Sequence, residues 1–336
     1  MDNEYKILKY DVVQEILSSK QIEFVALEKI HGTNFSFITD GVDVQCCRRS
    51  DILKLDENFF SYQNILLVYK NKILKLFNQV QKIIKKNYNQ DIWQIQLYGE
   101  LYGGNYPGIE RAKGSQTVQK GIYYSNSNEF AAFDLRYWIT NSSNEQKESK
   151  YLDWDLLVNL LNLVSIPTVP IISQGNWEII SKLDPKFESE VYKVHNLPKI
   201  DSNFAEGYVI KPTKEIRFGK DEDRLIWKFK NPSFSEISNN KKKTIISNDD
   251  KNNIYILRLE QYINENRYDN VVSKIIEGTP VEKLVELFQQ DIWVDFIDDL
   301  NSDKIELELE DKKELERKLK GYSNKFVRTR YSKIKT

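Results

Sequence analysis

Residues 22–38 read IEFVALEKIHGTNFSFI: two apolar stretches, Ile22–Ile30 and Phe35–Ile38, joined by His31-Gly32-Thr33-Asn34. Aromatic and β-branched residues crowd both stretches and a glycine turn separates them, so the pattern predicts two strands folded as a hairpin. Outward from this pair, strands are expected in VDVQCC from Val42, IWQIQLY from Ile92 to Tyr98, FAAFDLRYW from Phe130, AEGYVIK from Ala205, and LIWKF from Leu225 to Phe229. Several of these alternate apolar and polar positions, which implies a mixed or antiparallel sheet system. Helices fall between them. Tyr62 to Lys86 carries Ile65, Tyr69, Ile73, Leu76, Val80 and Ile83 at three- and four-residue spacing, and Leu152 to Val164 is a second helix that ends before Pro167. This part of the chain is α+β.

Beyond about Asn239 the character changes. NNKKKTIISNDDKNN is polar and charged, and after it the periodicity is helical in IYILRLEQYINENRY, VEKLVELFQQDIWVDFIDDL and KKELERKLKGY, with a break at Gly278 and Pro280. A boundary is therefore expected at 238/239, with an α+β domain over 1–238 and a small all-α domain over 239–336. Within the second domain Asp291 to Asp311 holds nine acids and one Lys, whereas Lys312 to Thr336 holds ten basic residues and two acids. Such runs fit either solvated helix faces or a basic segment that meets phosphates.

Composition narrows the chemistry. The 336 residues carry 49 Lys plus Arg against 50 Asp plus Glu, a net charge of -1, so any affinity for nucleic acid must be local. Cys46 and Cys47 are the only cysteines and adjoin each other, which excludes a disulfide framework or a four-thiolate zinc site within the chain. With only His31 and His195, a histidine-rich metal centre is disfavoured too. The opening MDNEYKILKY has neither the apolar core of a signal peptide nor the Arg-rich character of a transit peptide, and no run of about 18 apolar residues occurs. An intracellular protein without a membrane partner is expected, in the cytoplasm or the cytoplasm of a virus-infected cell. Catalysis would fall to lysine, carboxylates or a divalent metal held by oxygen.

Lys29 stands at the end of a predicted strand and just before the glycine turn, where its amine can point into a cleft. A lysine amine attacks only in its neutral form, which desolvation and neighbouring cations favour. Lys-x-His-Gly alone is weak, since such a match arises by chance in roughly a few per cent of chains this long. The context decides. Lys29-Ile30-His31-Gly32 resembles the Lys-x-(Asp/His)-Gly signature of the covalent nucleotidyltransferases, the DNA ligases, RNA ligases and mRNA capping enzymes, and five further elements follow in that superfamily's order. Arg48-Arg49-Ser50 resembles the basic element after the first strands, and LYGELYGG the strand of the third motif, with Glu100 at its acid position. FAAFDLRY, with Phe133 and Asp134, comes next, then AEGYVIKP around Glu206-Gly207, then LIWKFK with Lys228 and Lys230. EKIHGTNFSF and KNPSFSE are similar to the RNA ligase 2 group, which includes the kinetoplastid editing ligases. DNVVSKIIEG followed by QQDIW resembles that group's helical C-terminal domain.

The resemblance implies an ATP-grasp-like ligase adenylation domain of antiparallel sheets and helices followed by a helical domain. Lys29 would be the nucleophile that accepts AMP from ATP. Glu28 and Ile30 through their backbone, His31, Asn34, Arg49, Glu100 and Phe133 would hold the nucleotide, with Phe133 stacking on adenine and His31 orienting the outgoing pyrophosphate. Lys228 and Lys230, two apart on a strand and so on one face, would clamp phosphates while Trp227 and Phe229 face the core. Glu206 would take Mg²⁺, or Mn²⁺, as a hard oxygen ligand. Arg48, Arg267, Asp291 and Asp295 lie where RNA-binding or C-terminal functional residues are expected, and Leu27 replaces an Arg found in some phage members. The implied reaction is sealing of RNA 3′-hydroxyl and 5′-phosphate ends, preferably at a nick in a duplex. A DNA ligase or GTP-using capping enzyme fits less well, because those chains continue into a β-barrel. A non-catalytic RNA-binding homologue would be expected to have lost some of these residues. His195 and residues 141–201 receive no role.

Overall fold

The computed structural model describes residues 21–49, 51–140, 148–218, 223–231, 234, 255–256, 258–260, 262–273, 275, 279–302 and 307–334. In chain order the elements are β1 (Phe24–Glu28), β2 (Thr33–Thr39), β3 (Val44–Arg48), α1 (Tyr62–Tyr88), β4 (Ile92–Gly103), β5 (Asn128–Ile139), β6 (Ser149–Tyr151), α2 (Trp154–Leu163), β7 (Ile171–Gly175), α3 (Trp177–Ile180), α4 (Val191–Val194), β8 (Gly207–Pro212), β9 (Arg217–Phe218), β10 (Asp223–Arg224) and β11 (Trp227–Lys230). The helices α5 (Glu265–Ser273), α6 (Val281–Ser302) and α7 (Leu309–Ile334) follow. Chain contacts divide the molecule into two compact units, Met1–Asn231 and Pro232–Thr336. The compositional boundary at 238/239 lies outside the described residues.

Unit 1 contains a four-stranded sheet, β11-β8-β1-β7, a five-stranded sheet, β3-β2-β4-β5-β6, and the ribbon β10-β9. All of these pairings are antiparallel. The expected hairpin between the first two strands is therefore corrected. β1 pairs with β7 and β8, β2 pairs with β3 and β4, and the chain crosses between sheets over residues 29–32. Burial explains the choice. Every residue of β1 is buried, so it takes a central place with a partner on each edge, which a two-stranded hairpin cannot supply. The crossing also runs hard against β4: a Cβ on Gly32 would lie 2.4 Å from the Leu101 carbonyl oxygen, so only glycine fits there.

The apolar face of the five-stranded sheet packs on α1. Tyr62, Ile65, Tyr69, Ile73, Leu76, Phe77, Val80 and Ile84 of this 27-residue helix are buried, and Tyr69 meets Phe37 and Phe130 at ring-centroid distances of 5.9 and 5.7 Å. The buried seam ends on Ile84, with Ile83 only half-buried, because 3.6 residues per turn carry the stripe one position onward. Asn89, in the left-handed region at φ 53°, stops the helix and returns its N–H to the Lys85 carbonyl. Behind the four-stranded sheet lies a second cluster, Phe24, Ala26, Ile180, Tyr208, Ile210 and Leu225, against which Trp227 and Phe229 pack.

The described part of unit 2 is helical. Its core gathers Leu259, Phe288, Ile292, Phe296, Leu300, Leu315, Leu319 and Val327. Among the described residues no helix is long and apolar enough to cross a membrane.

Candidate active site

Three neighbouring strands of the four-stranded sheet bring their ends together at one edge. The Lys29 N–H, just past β1, donates to the Gly207 carbonyl at 2.9 Å, and Lys230 at the end of β11 stands opposite Gly207 in the ladder. Glu206 precedes β8 and so lies between them. A Cβ on Gly207 would fall 1.9 Å from the Phe229 carbonyl oxygen, and its φ of 141° also requires glycine. That tight passage delivers the Glu206 carboxylate to the edge.

Glu206 is the hub of the site. One carboxylate oxygen lies 2.6 Å from the Lys29 amine and 3.9 Å from that of Lys230, and the other lies 3.2 Å from Nδ1 of His31. Burial by itself would raise the pKa of this 3 % exposed acid, but Lys29, His31 and Lys230 outweigh it and hold the carboxyl well below the usual range. Lys29 retains partial exposure, at 24 % of its side chain, so an incoming group can reach the amine. Lys228, one position before Phe229, is exposed on the same strand as Lys230.

The other sheet faces this cluster with a different set. Asn34 on β2 and Glu100 on β4 are directly opposed in the ladder and both half-buried. On β5 the register shifts, with Tyr98 opposite Asp134 and Gly99 opposite Ala132, so Phe133 bulges out of the pairing. This explains why a phenylalanine in so apolar a strand is half-buried rather than core, with no ring contact to another aromatic among the described residues. Arg49 at the end of β3 is exposed, whereas Arg48 is engaged by Asp51 and Glu57. Ile30 is buried. The Glu28 side chain is buried as well, on the side of β1 shared by Phe24 and Ala26, so only its backbone lies toward the Lys29 edge.

The sequence reading missed a buried charge network that joins the two sheets. Lys211 on β8 donates to the Phe133 carbonyl at 2.7 Å and to Asp134 at 3.1 Å, and its amine sits 4.7 Å from the Trp154 ring centre. Arg224 bonds the second Asp134 oxygen at 2.6 Å and Glu215 at 2.7 and 2.9 Å, and its guanidinium lies 3.7 Å from the ring centre of Tyr151. Burial lowers the Lys211 pKa, with Asp134 opposing. The available signal was a lone lysine in the apolar run YVIKP. In unit 2, Arg267 is 1 % exposed, and its guanidinium pairs with Asp291 and, at 2.9 Å, with Asp295. These three residues bind α5 to α6, with the Arg267 guanidinium buried and the two carboxylates still in contact with solvent.

Residues 22–230 match the family model described as RNA ligase, which is well over half of the chain. The chain belongs to the RNA ligase family. Residues 246–325 also match the model described as T4 RNA ligase 2 C-terminal, so the helical unit goes with the same group. The mitochondrial RNA-editing ligase 1 of Trypanosoma brucei brucei is 28 % identical over an alignment covering 37 % of this chain and 30 % of that protein. Among solved structures, a Naegleria gruberi RNA ligase variant with ATP and Mn has 16 % identity and a TM-score of 0.39, covering 67 % of this chain and 54 % of that one. An apo variant of the same ligase gives 16 %, 0.39, 67 % and 53 %. The chain thus spans under a third of the curated relative and about half of the solved ligase.

Proposed function

We propose that this chain is an ATP-dependent RNA ligase that joins a 3′-hydroxyl to a 5′-phosphate through lysyl-AMP and RNA-adenylate intermediates. The observation that carries the reading is the convergence of Lys29, His31 and Lys230 on the single buried carboxylate of Glu206, in a chain of this family. In the first step Lys29 releases its ammonium proton to solvent through its exposed side, the freed lone pair of Nζ attacks the α-phosphorus of ATP, a P–N bond forms, and the P–O bond to pyrophosphate breaks. In the second, an RNA 5′-phosphate oxygen attacks the same phosphorus and Lys29 leaves. In the third, the 3′-hydroxyl attacks the RNA phosphate and AMP departs.

Each step moves negative charge across phosphate oxygens, and Lys228 and Lys230 offer fixed positive charge at the edge where Lys29 sits. The bulged Phe133 presents a ring for adenine, and the Asn34–Glu100 pair presents polar groups for the ribose hydroxyls. Arg49, exposed beside the site, suits an RNA phosphate. Among the described residues no cluster of three or more His, Cys, Asp or Glu could hold a metal unaided. The Glu206 carboxylate, buried and held ionised beside Lys29, nevertheless offers a hard oxygen that would hold Mg²⁺ or Mn²⁺. Such an ion would supply charge neutralisation at the nucleotide phosphates.

The partner we infer is RNA ended by 3′-hydroxyl and 5′-phosphate, held across a nick. Support comes from α7, where Lys313, Arg317, Lys320 and Arg328 stand exposed at steps of four, three and eight residues, on one helical side. Residues 317–336 include eight Lys or Arg and no acid. The test is incubation with Mg²⁺ and ATP labelled at the α-phosphate, after discharge of any bound AMP with pyrophosphate. Wild-type chain is expected to carry label through denaturing electrophoresis and Lys29→Ala none, with GTP a poor donor. Persistent absence of label in the wild type refutes the assignment.

A further inference from the structure

Neither residues 105–127 of the β4–β5 connection nor residues 176–204, the stretch bearing α3 and α4, hold a residue of the nucleotidyltransferase motifs. The first nevertheless reaches the backbone two residues past Lys29. Tyr124 is fully buried, and its hydroxyl accepts a hydrogen bond from the His31 backbone N–H at 2.9 Å. His31 lies in the interval between sheets, after the Lys29 N–H has closed on Gly207 and before Thr33 pairs with Leu101. An amide in that interval has no ladder partner, and the Tyr124 oxygen satisfies it across 93 residues of sequence. The His31 ring then stands 3.2 Å from Glu206, whose other oxygen holds Lys29.

Tyr124 is itself held from two sides. Its ring meets that of Tyr102 edge-on, at 5.5 Å and 80°, and Tyr102 bonds Nε2 of His195 at 3.1 Å. Asn203 clasps both backbone groups of Tyr123, at 2.9 and 2.7 Å, so the two connections brace each other beside the site. Burial keeps the Tyr124 hydroxyl neutral far above its ordinary pKa.

We propose that Tyr124 is a positioning residue of the adenylylation site: its hydroxyl fixes the His31 backbone at the crossing between the sheets and thereby sets the imidazole against Glu206. This role rests on the ligase reading. Tyr124→Phe keeps the ring and removes the oxygen to which the half-buried His31 N–H donates, so adenylylation is expected to slow about 10- to 100-fold. Because Tyr124 acts through His31, the double variant with His31→Gln should be no slower than His31→Gln alone.

A second readout is independent of turnover. The chain has two histidines, so His31→Gln assigns both ring ¹⁵N signals, and at one fixed pH the Nδ1 signal of His31 should move in Tyr124→Phe. Tyr106→Phe, which removes a hydroxyl bond from the same connection to the Pro198 carbonyl, should leave that signal and the rate near wild type. Penalties that multiply in the double variant, or an unmoved His31 signal, overturn the proposal. A wild-type chain that takes no label from ATP overturns the ligase reading itself, whereas normal label with an unmoved signal overturns only the role of Tyr124.

Discussion

Replacing Glu28 by Gln is expected to flatten the pH dependence of the stability of unit 1. The Glu28 side chain is 2 % exposed, and neither carboxylate oxygen has a partner in hydrogen-bond geometry. Burial lifts its pKa from 4.5 to about 7; Ser189 and the Glu190 backbone lie close enough to offset part of the rise without forming well-aligned bonds. The folded chain therefore binds this proton more tightly than the unfolded chain. That advantage is fully present below pH 4.5 and is lost as pH rises through about 7. A rise from 4.5 to about 7 corresponds to about 3 kcal/mol. The assay is urea unfolding from pH 4.5 to 8.5, followed by tryptophan fluorescence, since Trp93, Trp138, Trp154, Trp177 and Trp227 all lie in unit 1. Gln carries a fixed cost of its own, so the readout is the difference between the two pH profiles rather than either stability alone. Wild type should lose about 3 kcal/mol relative to Glu28→Gln across that range. Parallel profiles would refute the reasoning.

Two further outcomes follow from unit 2. Asp291→Asn with Asp295→Asn leaves the Arg267 guanidinium buried without its carboxylates and should destabilise the unit by about 3–5 kcal/mol. Arg267→Met should cost less, because Asp291 and Asp295 are 24 % and 45 % exposed and can rehydrate; Trp293 fluorescence during unfolding compares them, and equal losses would contradict the clamp. Neutralising Lys313, Arg317 and Lys320 to Gln should weaken binding of a nicked RNA duplex and reduce the slope of log K against log salt by about 2 to 3, while lysyl-AMP formation is unchanged. The same change at the exposed Lys75, Lys82 and Lys86 of α1 should leave the slope nearly intact, and an equal loss there would mean that net charge alone is being read.

The parts of the site that announce themselves are those whose residue type and spacing carry the chemistry locally. Lys29 before a glycine, Glu206 beside Gly207, and Lys228 and Lys230 two apart on a strand are readable without coordinates. So is α1, whose stripe of apolar residues needs only the helical period. The buried network of Lys211, Asp134, Arg224 and Glu215 left only the trace of one lysine in an apolar run, because its members come from three strands and the link between β8 and β9 and satisfy one another only after the sheets meet. Tyr124 and His195 were unreadable for the same reason: a tyrosine in a glycine-rich connection has no local pattern to mark it.

The identity of the motif-bearing strands and of the long helices, and the order of reactive groups, follow from local preferences and periodicity, so they belong to the chain read as a string, whereas the short elements such as β6, β7, α3 and α4 do not. Which strand lies beside which does not. The segment from Ile22 to Ile38 has the pattern of a hairpin, yet β1 and β2 part company at Gly32, because a strand buried on both faces gains more from β7 and β8 than from its neighbour in sequence. That long-range choice carries Glu206 to Lys29 and the Tyr124 hydroxyl to His31, and it depends on burial summed over the whole unit rather than on any stretch within it.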